Sequence, residues 1–287
     1  MQLTAGNKVA LVACSNGLPV DQQPEVQRLM QVLRGMGLCP VCSDYLYAGP
    51  TAFAGTAAQR AAALQQAYAD SQIRAIFDIS GGDMANQLLD LLDYRQIAAS
   101  PKPFFGYSDL TVLLNALYTK TGAVSYLYQV KNLIWQSSAQ QQPAFVASMF
   151  SGADDLFRVK WHFLRGERMS GTLLGGNLRC LLKLAGTPYI PDLTGKLLFI
   201  ESLGGGVPQM VTYLSQLRQL GVFKHISGLL LGTFTYMQQH RQQPSMHQLV
   251  LQETQGCTFP IAYTSQVGHA NTSRCLPIGG PYTVQLP

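Results

Sequence analysis

Short apolar runs alternate with amphipathic stretches through the first half of the chain. Apolar runs of this length, bounded by glycines and polar residues, are typical of buried strands, whereas apolar residues that recur every three or four positions indicate helices. The predicted strands are Val9–Cys14, Leu38–Tyr47, Ala75–Ile79 and Pro103–Tyr107. Four helices are predicted between and after them: one that begins at an Asp21 cap, one that begins at a Thr56 cap, and two that span Met84–Leu92 and Asp109–Lys120. This alternation predicts a parallel sheet that is covered on both faces.

The pattern changes after about Ala123, and from Gly171 onward short apolar strands are separated by glycines and turn residues. These features predict a second domain of mostly β character, with one clear helix near Val207–Leu220. The predicted organisation is an α/β N-terminal domain over 1–145, a linker or loop region over 146–168, and a β-rich C-terminal domain over 169–287.

Composition narrows the class of protein. Of the 287 residues 47% are hydrophobic and only 12% are charged, which excludes wholesale disorder. No apolar run reaches the length of a membrane helix, and the apolar run before Cys14 is too short for a secretion signal, so it is interpreted as a core strand. The net charge of +5 comes without a basic run, so neither a nucleic-acid nor a membrane partner is predicted.

Six cysteines are too sparse in a chain of this length for a disulfide framework. The segment Cys39-Pro40-Val41-Cys42 has the spacing of a redox pair or of half a zinc site, but no second pair follows to complete tetrahedral ligation. Because this segment lies in a strand-like stretch, both cysteines are interpreted as ordinary buried thiols. No metal ion and no cofactor are predicted.

Two glycine-containing turns follow predicted strands. Gly81-Gly82 either exposes backbone N–H groups to an anionic oxygen or simply makes a tight turn, and its spacing is not that of a phosphate-binding loop. In Gly106-Tyr107-Ser108-Asp109 a strand ends abruptly at a helix, which is where a nucleophile elbow places its serine. Ser108 and Asp109 are equally normal helix-capping residues, and Leu110 replaces the usual second glycine, so both interpretations stay open.

A nucleophilic serine needs a base and a group that orients the base. Among five histidines, His269 lies in a sharp Gly268-His269-Ala270-Asn271 turn after a strand-like run. Glu201 ends an apolar strand and so faces the crevice edge of an α/β sheet. The order Ser, Glu, His occurs in serine hydrolases, although three such residues also occur together by accident.

A set of short motifs is distributed nearly from end to end of the chain. The motifs include Ser15, Gly55-Thr56 to Arg60, Gly81-Gly82, Leu88–Asp93, Pro101–Thr111, Gly175–Leu178, Gly186–Pro188, Lys196–Glu201, Gly232–Phe234, Gly268-His269 and Leu276–Gly279. In these stretches and in their order the chain resembles the LD-carboxypeptidase family, peptidase family S66, which includes murein tetrapeptide carboxypeptidases and microcin C self-immunity peptidases.

The resemblance implies a Ser-Glu-His mechanism. Ser108 corresponds to the nucleophile, His269 to the base and Glu201 to the residue that orients it, and the backbone N–H groups of Asp109 and Gly82 correspond to the oxyanion hole. It also implies a flavodoxin-like N-terminal domain, a β-rich C-terminal domain, a cytoplasmic homodimer, no metal, and a small muropeptide substrate that loses its terminal D-alanine.

Three stretches depart from the family pattern at the expected substrate pocket. Where the family has Arg-Gly-Gly-Tyr/Trp-Gly, this chain has Ser80-Gly81-Gly82-Asp83-Met84. Where the family has Glu-Asp, this chain has Glu201-Ser202, and a further carboxylate is missing from Leu203–Gly206. Where the family has a His-Gly-Pro turn, this chain has Tyr126–Gln129. Two alternatives therefore stay open. One is a microcin-immunity-like peptidase on a peptidyl-nucleotide, for which Trp161 is either a stacking partner or a packing residue. The other is a non-catalytic peptide-binding relative.

Overall fold

The computed structural model describes residues 2–49 and 51–286, in which twelve strands form two six-stranded sheets. The strands are β1 (Lys8–Val12), β2 (Cys39–Cys42), β3 (Ile73–Asp78), β4 (Phe104–Gly106), β5 (Ser125–Leu127), β6 (His162–Arg165), β7 (Arg168–Asn177), β8 (Leu197–Ser202), β9 (Gly228–Phe234), β10 (Ile261–Tyr263), β11 (Leu276–Ile278) and β12 (Pro281–Gln285). The helices are α1 (Gln23–Gly35), α2 (Ala57–Ala69), α3 (Tyr94–Ala99), α4 (Thr111–Thr121), α5 (Ser138–Phe150), α6 (Leu178–Leu182), α7 (Val207–Gln219), α8 (Val222–His225), α9 (Thr235–Gln239) and α10 (Met246–Glu253).

The first sheet has the strand order β11-β5-β4-β3-β1-β2, and all of its neighbours are parallel except β11, which is antiparallel to β5. The order β2-β1-β3-β4-β5 is that of the flavodoxin-like fold, so the predicted α/β architecture is confirmed. Side chains of β1 alternate between two hydrophobic clusters, since Val9 and Leu11 lie in one and Ala10 and Val12 in the other. Both faces of this sheet are therefore covered, as the continuous apolar runs predict.

Three local predictions in this half are corrected. The strand predicted over Leu38–Tyr47 is limited to Cys39–Cys42, because at the sheet edge it pairs only with β1. Asp21 does not cap α1 but lies in the short 3-10 turn that precedes it. The stretch predicted as helix Met84–Leu92 is a 3-10 helix over Ala85–Leu91, and its first N–H groups bond to side chains of other segments rather than to a cap of its own.

The second sheet has the order β12-β7-β8-β9-β10-β6, in which four parallel central strands are flanked by antiparallel edge strands. This sheet is the β-rich C-terminal unit that the sequence predicts, and α7 matches the predicted helix. The short helices α6, α8 and α9 are additional, since segments of four or five residues carry too little periodicity to be recognised.

The two sheets share chain segments and core. Strand β11, near the C-terminus, completes the first sheet, and one hydrophobic cluster contains side chains from both sheets. Strand β6 lies inside the segment 146–168 and pairs with β10 of the second sheet, while α5 spans residue 145. That segment therefore contains regular structure as well as loops, and the domain boundaries stay a prediction.

Candidate active site

Ser108 lies at the abrupt junction between β4 and α4. Its φ of +56° is in the left-handed region, which only one other non-glycine residue among those described, Arg241, also adopts. A serine in this conformation costs about 1 kcal/mol, and neighbouring packing must hold it there. At Gly106 a Cβ atom would lie 2.7 Å from the Leu110 Cβ, so only glycine lets the first turn of the helix approach the strand this closely. The turn raises the half-buried Ser108 hydroxyl above the carboxyl edge of the sheet.

Ser108, His269 and Glu201 form one continuous hydrogen-bonded chain. His269 Nε2 is 3.1 Å from Ser108 Oγ, and His269 Nδ1 is 2.7 Å from Glu201 Oε2. An ionised carboxylate only accepts, so Nδ1 donates to Glu201, and Nε2 is left to accept from the serine hydroxyl. Residues separated by as many as 161 positions in the sequence are thus brought together from both sheets. This arrangement is the one in which an imidazole can take a serine proton.

Glu201 is fully buried at the end of β8, and its oxygens accept from groups besides the histidine. Asn177 Nδ2 donates to Oε1 at 3.0 Å, and Tyr107 Oη donates to Oε2 at 3.3 Å. Burial, followed by the neighbouring Glu201 charge, raises the pKa of the Tyr107 hydroxyl well above its ordinary value, which keeps this donor protonated. The Tyr107 ring also meets the His269 ring edge-on, at 4.8 Å between centroids. The carboxylate and the imidazole therefore have fixed positions.

Asn177 and Tyr107 were not singled out as site residues from the sequence. Asn177 is paired with Glu201 in the parallel register of β7 and β8, and it also caps α6. A polar residue that ends one strand beside a carboxylate ending the next strand is a recognisable pattern. It becomes informative only once the strand neighbours are known.

The His269 turn depends on close backbone approaches. At Gly268 a Cβ atom would lie 1.6 Å from Thr233 Oγ1, and at Gly232 it would lie 2.9 Å from the Glu201 Cβ. Gly268 N–H donates to Ser273 Oγ at 3.2 Å, which holds the turn. The imidazole can approach the Glu201 carboxylate because these two positions have no side chain.

The turn at Gly81-Gly82 lies beside the serine turn and is held rigidly. Gly82 has a φ of +129°, and a Cβ there would lie 2.2 Å from the Asn16 side chain. Asn16 N–H donates to Gly81 O at 3.1 Å, and Asn16 Oδ1 accepts from Asp83 N–H at 2.9 Å. The turn is therefore fixed to the chain that follows β1.

The buried Asp109 carboxylate links the serine turn to the Gly81-Gly82 turn. Its Oδ2 accepts from Ser15 Oγ at 2.6 Å and from Ala85 N–H at 2.8 Å, while its Oδ1 accepts from Lys183 Nζ at 2.6 Å. Lys183 also donates to the backbone oxygen of Asp83 at 3.0 Å. Lys183, which reaches this site from the end of α6, is not predicted from the sequence.

Other sequence candidates lie outside this site. Cys39 and Cys42 are free thiols on β2. Cys39 is exposed and Cys42 is only half-buried, so the prediction of two buried thiols was wrong, because β2 is an edge strand. Within residues 2–49 and 51–286 no group of three or more His, Cys, Asp or Glu side chains could hold a metal ion. In the same part of the chain no helix is long and apolar enough to cross a membrane.

Trp161 has a packing environment. Its indole Nε1 donates to Tyr282 Oη at 3.0 Å, and its ring meets the Phe199 and Tyr282 rings edge-on. These contacts favour the packing interpretation of Trp161 over a role as a stacking partner for a ligand.

Comparisons with known proteins identify the family of this chain. The model of the LD-carboxypeptidase N-terminal domain matches residues 9–128, and that of the LD-carboxypeptidase C-terminal domain matches residues 170–284. A Streptomyces coelicolor protein assigned by name to the carboxypeptidases is 31% identical, over 98% of this chain and 91% of its own. The murein tetrapeptide carboxypeptidase of Pseudomonas aeruginosa is 27% identical, over 95% of this chain and 91% of its own.

A solved structure extends the likeness to the fold. The structure of MccF, the microcin C7 self-immunity protein, in complex with glutamyl sulfamoyl guanosine superposes with a TM-score of 0.88 at 21% identity, covering 99% of this chain and 94% of that chain. The shared two-sheet fold and the two matching domain models lead to one conclusion: the chain belongs to the LD-carboxypeptidase family.

Proposed function

We propose that this protein is a serine carboxypeptidase that hydrolyses an L,D-amide bond and releases a terminal D-alanine. The observation that carries the proposal is the Ser108–His269–Glu201 chain, with contacts of 3.1 Å and 2.7 Å, which joins the turn after β4, the loop between β10 and β11, and the end of β8. The buried carboxylate and the oriented imidazole match the requirements of nucleophilic catalysis by serine.

In the proposed acylation step His269 Nε2 takes the Ser108 proton while Oγ attacks the carbonyl carbon of the L-residue. The imidazolium that forms is stabilised by Glu201, and it then protonates the amine of the departing D-residue. In deacylation His269 takes a proton from water, the hydroxide attacks the acyl-enzyme, and Ser108 regains its proton. Glu201 accepts hydrogen bonds throughout and stays ionised.

The tetrahedral intermediate carries a negative oxygen that needs donors in fixed positions. We assign this role to the backbone N–H groups of Asp109 and Gly82. The contacts that fix the two turns to one another through Ser15, Ala85 and the Asp109 carboxylate support the assignment. Donors held in advance require no reorganisation when charge develops.

The proposed substrate is the murein tetrapeptide, cleaved in the cytoplasm by a homodimer during peptidoglycan recycling. The name of the Pseudomonas aeruginosa relative supports the substrate class. The alternative of a peptidyl-nucleotide substrate has less support, because Trp161 is engaged by Tyr282 and Phe199. A non-catalytic peptide-binding relative would not need the hydrogen-bonded histidine between Ser108 and Glu201.

The test is cleavage of purified murein tetrapeptide by the wild type and by Ser108→Ala, followed by mass spectrometry. We expect the wild type alone to remove one D-alanine. Loss of D-alanine with neither protein would reject the muropeptide substrate, and equal loss with both would reject Ser108 as the nucleophile.

A further inference from the structure

An open cavity of about 790 Å³ adjoins the turn assigned to the oxyanion hole. Gly81 and Gly82 form one part of its wall, and residues 16–22 after β1 and residues 48–49 and 51–52 after β2 form other parts. Its size is in the range of pockets that bind small molecules and short peptides. A substrate whose scissile carbonyl reaches Ser108 can therefore place a neighbouring group in this cavity.

Lys131 is the buried cation of the cavity wall. The residue is only 8% exposed, and within the described part of the chain its ammonium donates no hydrogen bond to another residue, so the ammonium faces the open cavity with its donors unpaired. Burial lowers the pKa of Lys131, and the charges of Glu25 and then Asp78 oppose this effect. An ammonium with no protein acceptor is left to water or to an anion in the cavity, and a bound anion is the partner that also neutralises its charge.

The groups around Lys131 leave its donors available. Glu25 Oε2 is 3.9 Å from Lys131 Nζ, beyond hydrogen-bond distance, and Glu25 Oε1 is occupied by the indole N–H of Trp135. The Trp135 ring lies 5.4 Å from the ammonium and offers only a cation–π contact. An ammonium has three donors, so Glu25 does not satisfy it.

Two further side chains of the cavity define what fits beside an anion. Gln22 Oε1 is buried and has no hydrogen-bond partner in the described part of the chain, so it can accept from a ligand N–H. Asp21 is a carboxylate on the cavity wall, but it is exposed, and solvent screens its charge. A buried donor and a buried acceptor in one cavity suit a peptide that carries both a carboxylate and N–H groups.

We propose that Lys131 forms a substrate subsite that binds a carboxylate of the peptide, beside the oxyanion turn. This inference rests on the proposed peptidase function and adds a specificity residue to it. A murein tetrapeptide has three carboxylates that could supply the anion: the C-terminal one, that of the D-glutamyl residue, and the side-chain carboxylate of a diaminopimelyl third residue.

The test measures tetrapeptide binding by calorimetry in Ser108→Ala, which leaves the peptide intact. Four peptides are compared: the diaminopimelyl parent, a C-terminal D-alaninamide, a D-isoglutaminyl form and a form with lysine as third residue. We expect one neutralised peptide to bind about 10- to 100-fold more weakly than the parent, as for loss of one charge-assisted hydrogen bond. The peptide that weakens identifies the carboxylate.

The variant Lys131→Met, added to Ser108→Ala, tests whether this residue is responsible. We expect Lys131→Met to lower the affinity for the diaminopimelyl parent peptide by a similar factor. Its affinity for the neutralised peptide that already binds weakly should not change. Lys131→Arg should retain most of the affinity for the parent peptide. Lys160→Met is the matched control, since Lys160 is exposed and lines a different cavity.

Two outcomes overturn the inference in distinguishable ways. The subsite is rejected if all four peptides bind with equal affinity, or if Lys131→Met lowers the affinity for all four by the same factor. In either case the proposed function stands as long as the wild type cleaves the tetrapeptide. Absence of both binding and wild-type cleavage rejects the proposed function and the subsite with it. If Lys131→Met does not fold, Lys131→Gln, which removes the charge and keeps a polar side chain, takes its place in the same comparison of four peptides.

Discussion

At the scale of single residues, the candidate site depends on unusual backbone at two adjoining turns. Ser108 has a φ of +56° and Gly82 a φ of +129°. The serine makes this conformation costly, whereas the glycine makes it accessible. Both turns are held by hydrogen bonds from other segments, so the folded protein maintains a geometry that the isolated segments would not adopt.

Gly82→Ala is predicted to lower kcat/KM about 100-fold or more, because the new Cβ must displace either Asn16 or the N–H assigned to the oxyanion. Gly81→Ala is the matched control, since a Cβ there has no atom within 4 Å. Steady-state kinetics and thermal unfolding of both variants make the test. Equal activity of the two alanine variants would show that the Gly82 turn does not serve catalysis.

At the scale of elements, the Asp109 carboxylate connects the serine turn before α4 to the turn after β3. Lys183, which follows α6, contacts both turns. Lys183 contacts Asp109 Oδ1 at 2.6 Å and Asp83 O at 3.0 Å, with its side chain 19% exposed. We infer that Lys183 is a positioning residue that sets the distance between the serine and the Gly82 turn. Arg179 adds a second, more exposed contact to Asp83.

Lys183→Met is predicted to lower kcat about 10- to 100-fold with KM little changed, because a misplacement of about 1 Å at the reacting groups is sufficient for this. Lys183→Arg should restore part of kcat, and Lys224→Met, an exposed lysine on α8, is the control. A purely structural role would instead lower the melting temperature of Lys183→Met and leave kcat unchanged.

The contrast between Ser108 and Lys183 shows how far sequence reasoning reaches at this scale. Ser108 is recognisable because its strand, turn and helix are contiguous in the sequence, and Glu201 and His269 follow from similar local patterns. Lys183 is one lysine directly after a short helix, and its partner Asp109 lies 74 positions away. Its contact depends on how α6 packs against the serine turn, which no local pattern encodes.

At the scale of the whole molecule, the two sheets form one packed body. Strand β11 returns from the C-terminal part of the chain to pair with β5, and Asn115 of α4 exchanges hydrogen bonds of 2.9 Å with Gly175 of β7. The sequence predicts both sheets, but it does not predict that β11 returns to the first sheet, because β11 is only three residues long. The catalytic residues proposed here come from both sheets, so this packing sets their distances.

Cooperative unfolding of both sheets is therefore predicted. The two tryptophans report on different parts, since Trp135 contacts Glu25 of α1 whereas Trp161 contacts Tyr282 of β12. In Trp135→Phe and in Trp161→Phe, urea unfolding followed by the remaining tryptophan should coincide with unfolding followed by far-ultraviolet circular dichroism. Separate transitions in either variant would show that the sheets unfold independently.

The central claim is that Ser108 and His269 act as one catalytic unit, and the most direct measurement is kcat for Ser108→Ala, His269→Ala and the double variant on murein tetrapeptide. Each single variant should lose about a thousandfold or more, and the double variant should be no more than about threefold slower than Ser108→Ala, because residues that act in the same proton transfer are not additive. Losses that multiply in the double variant would contradict the account, since they would show that the two residues act independently.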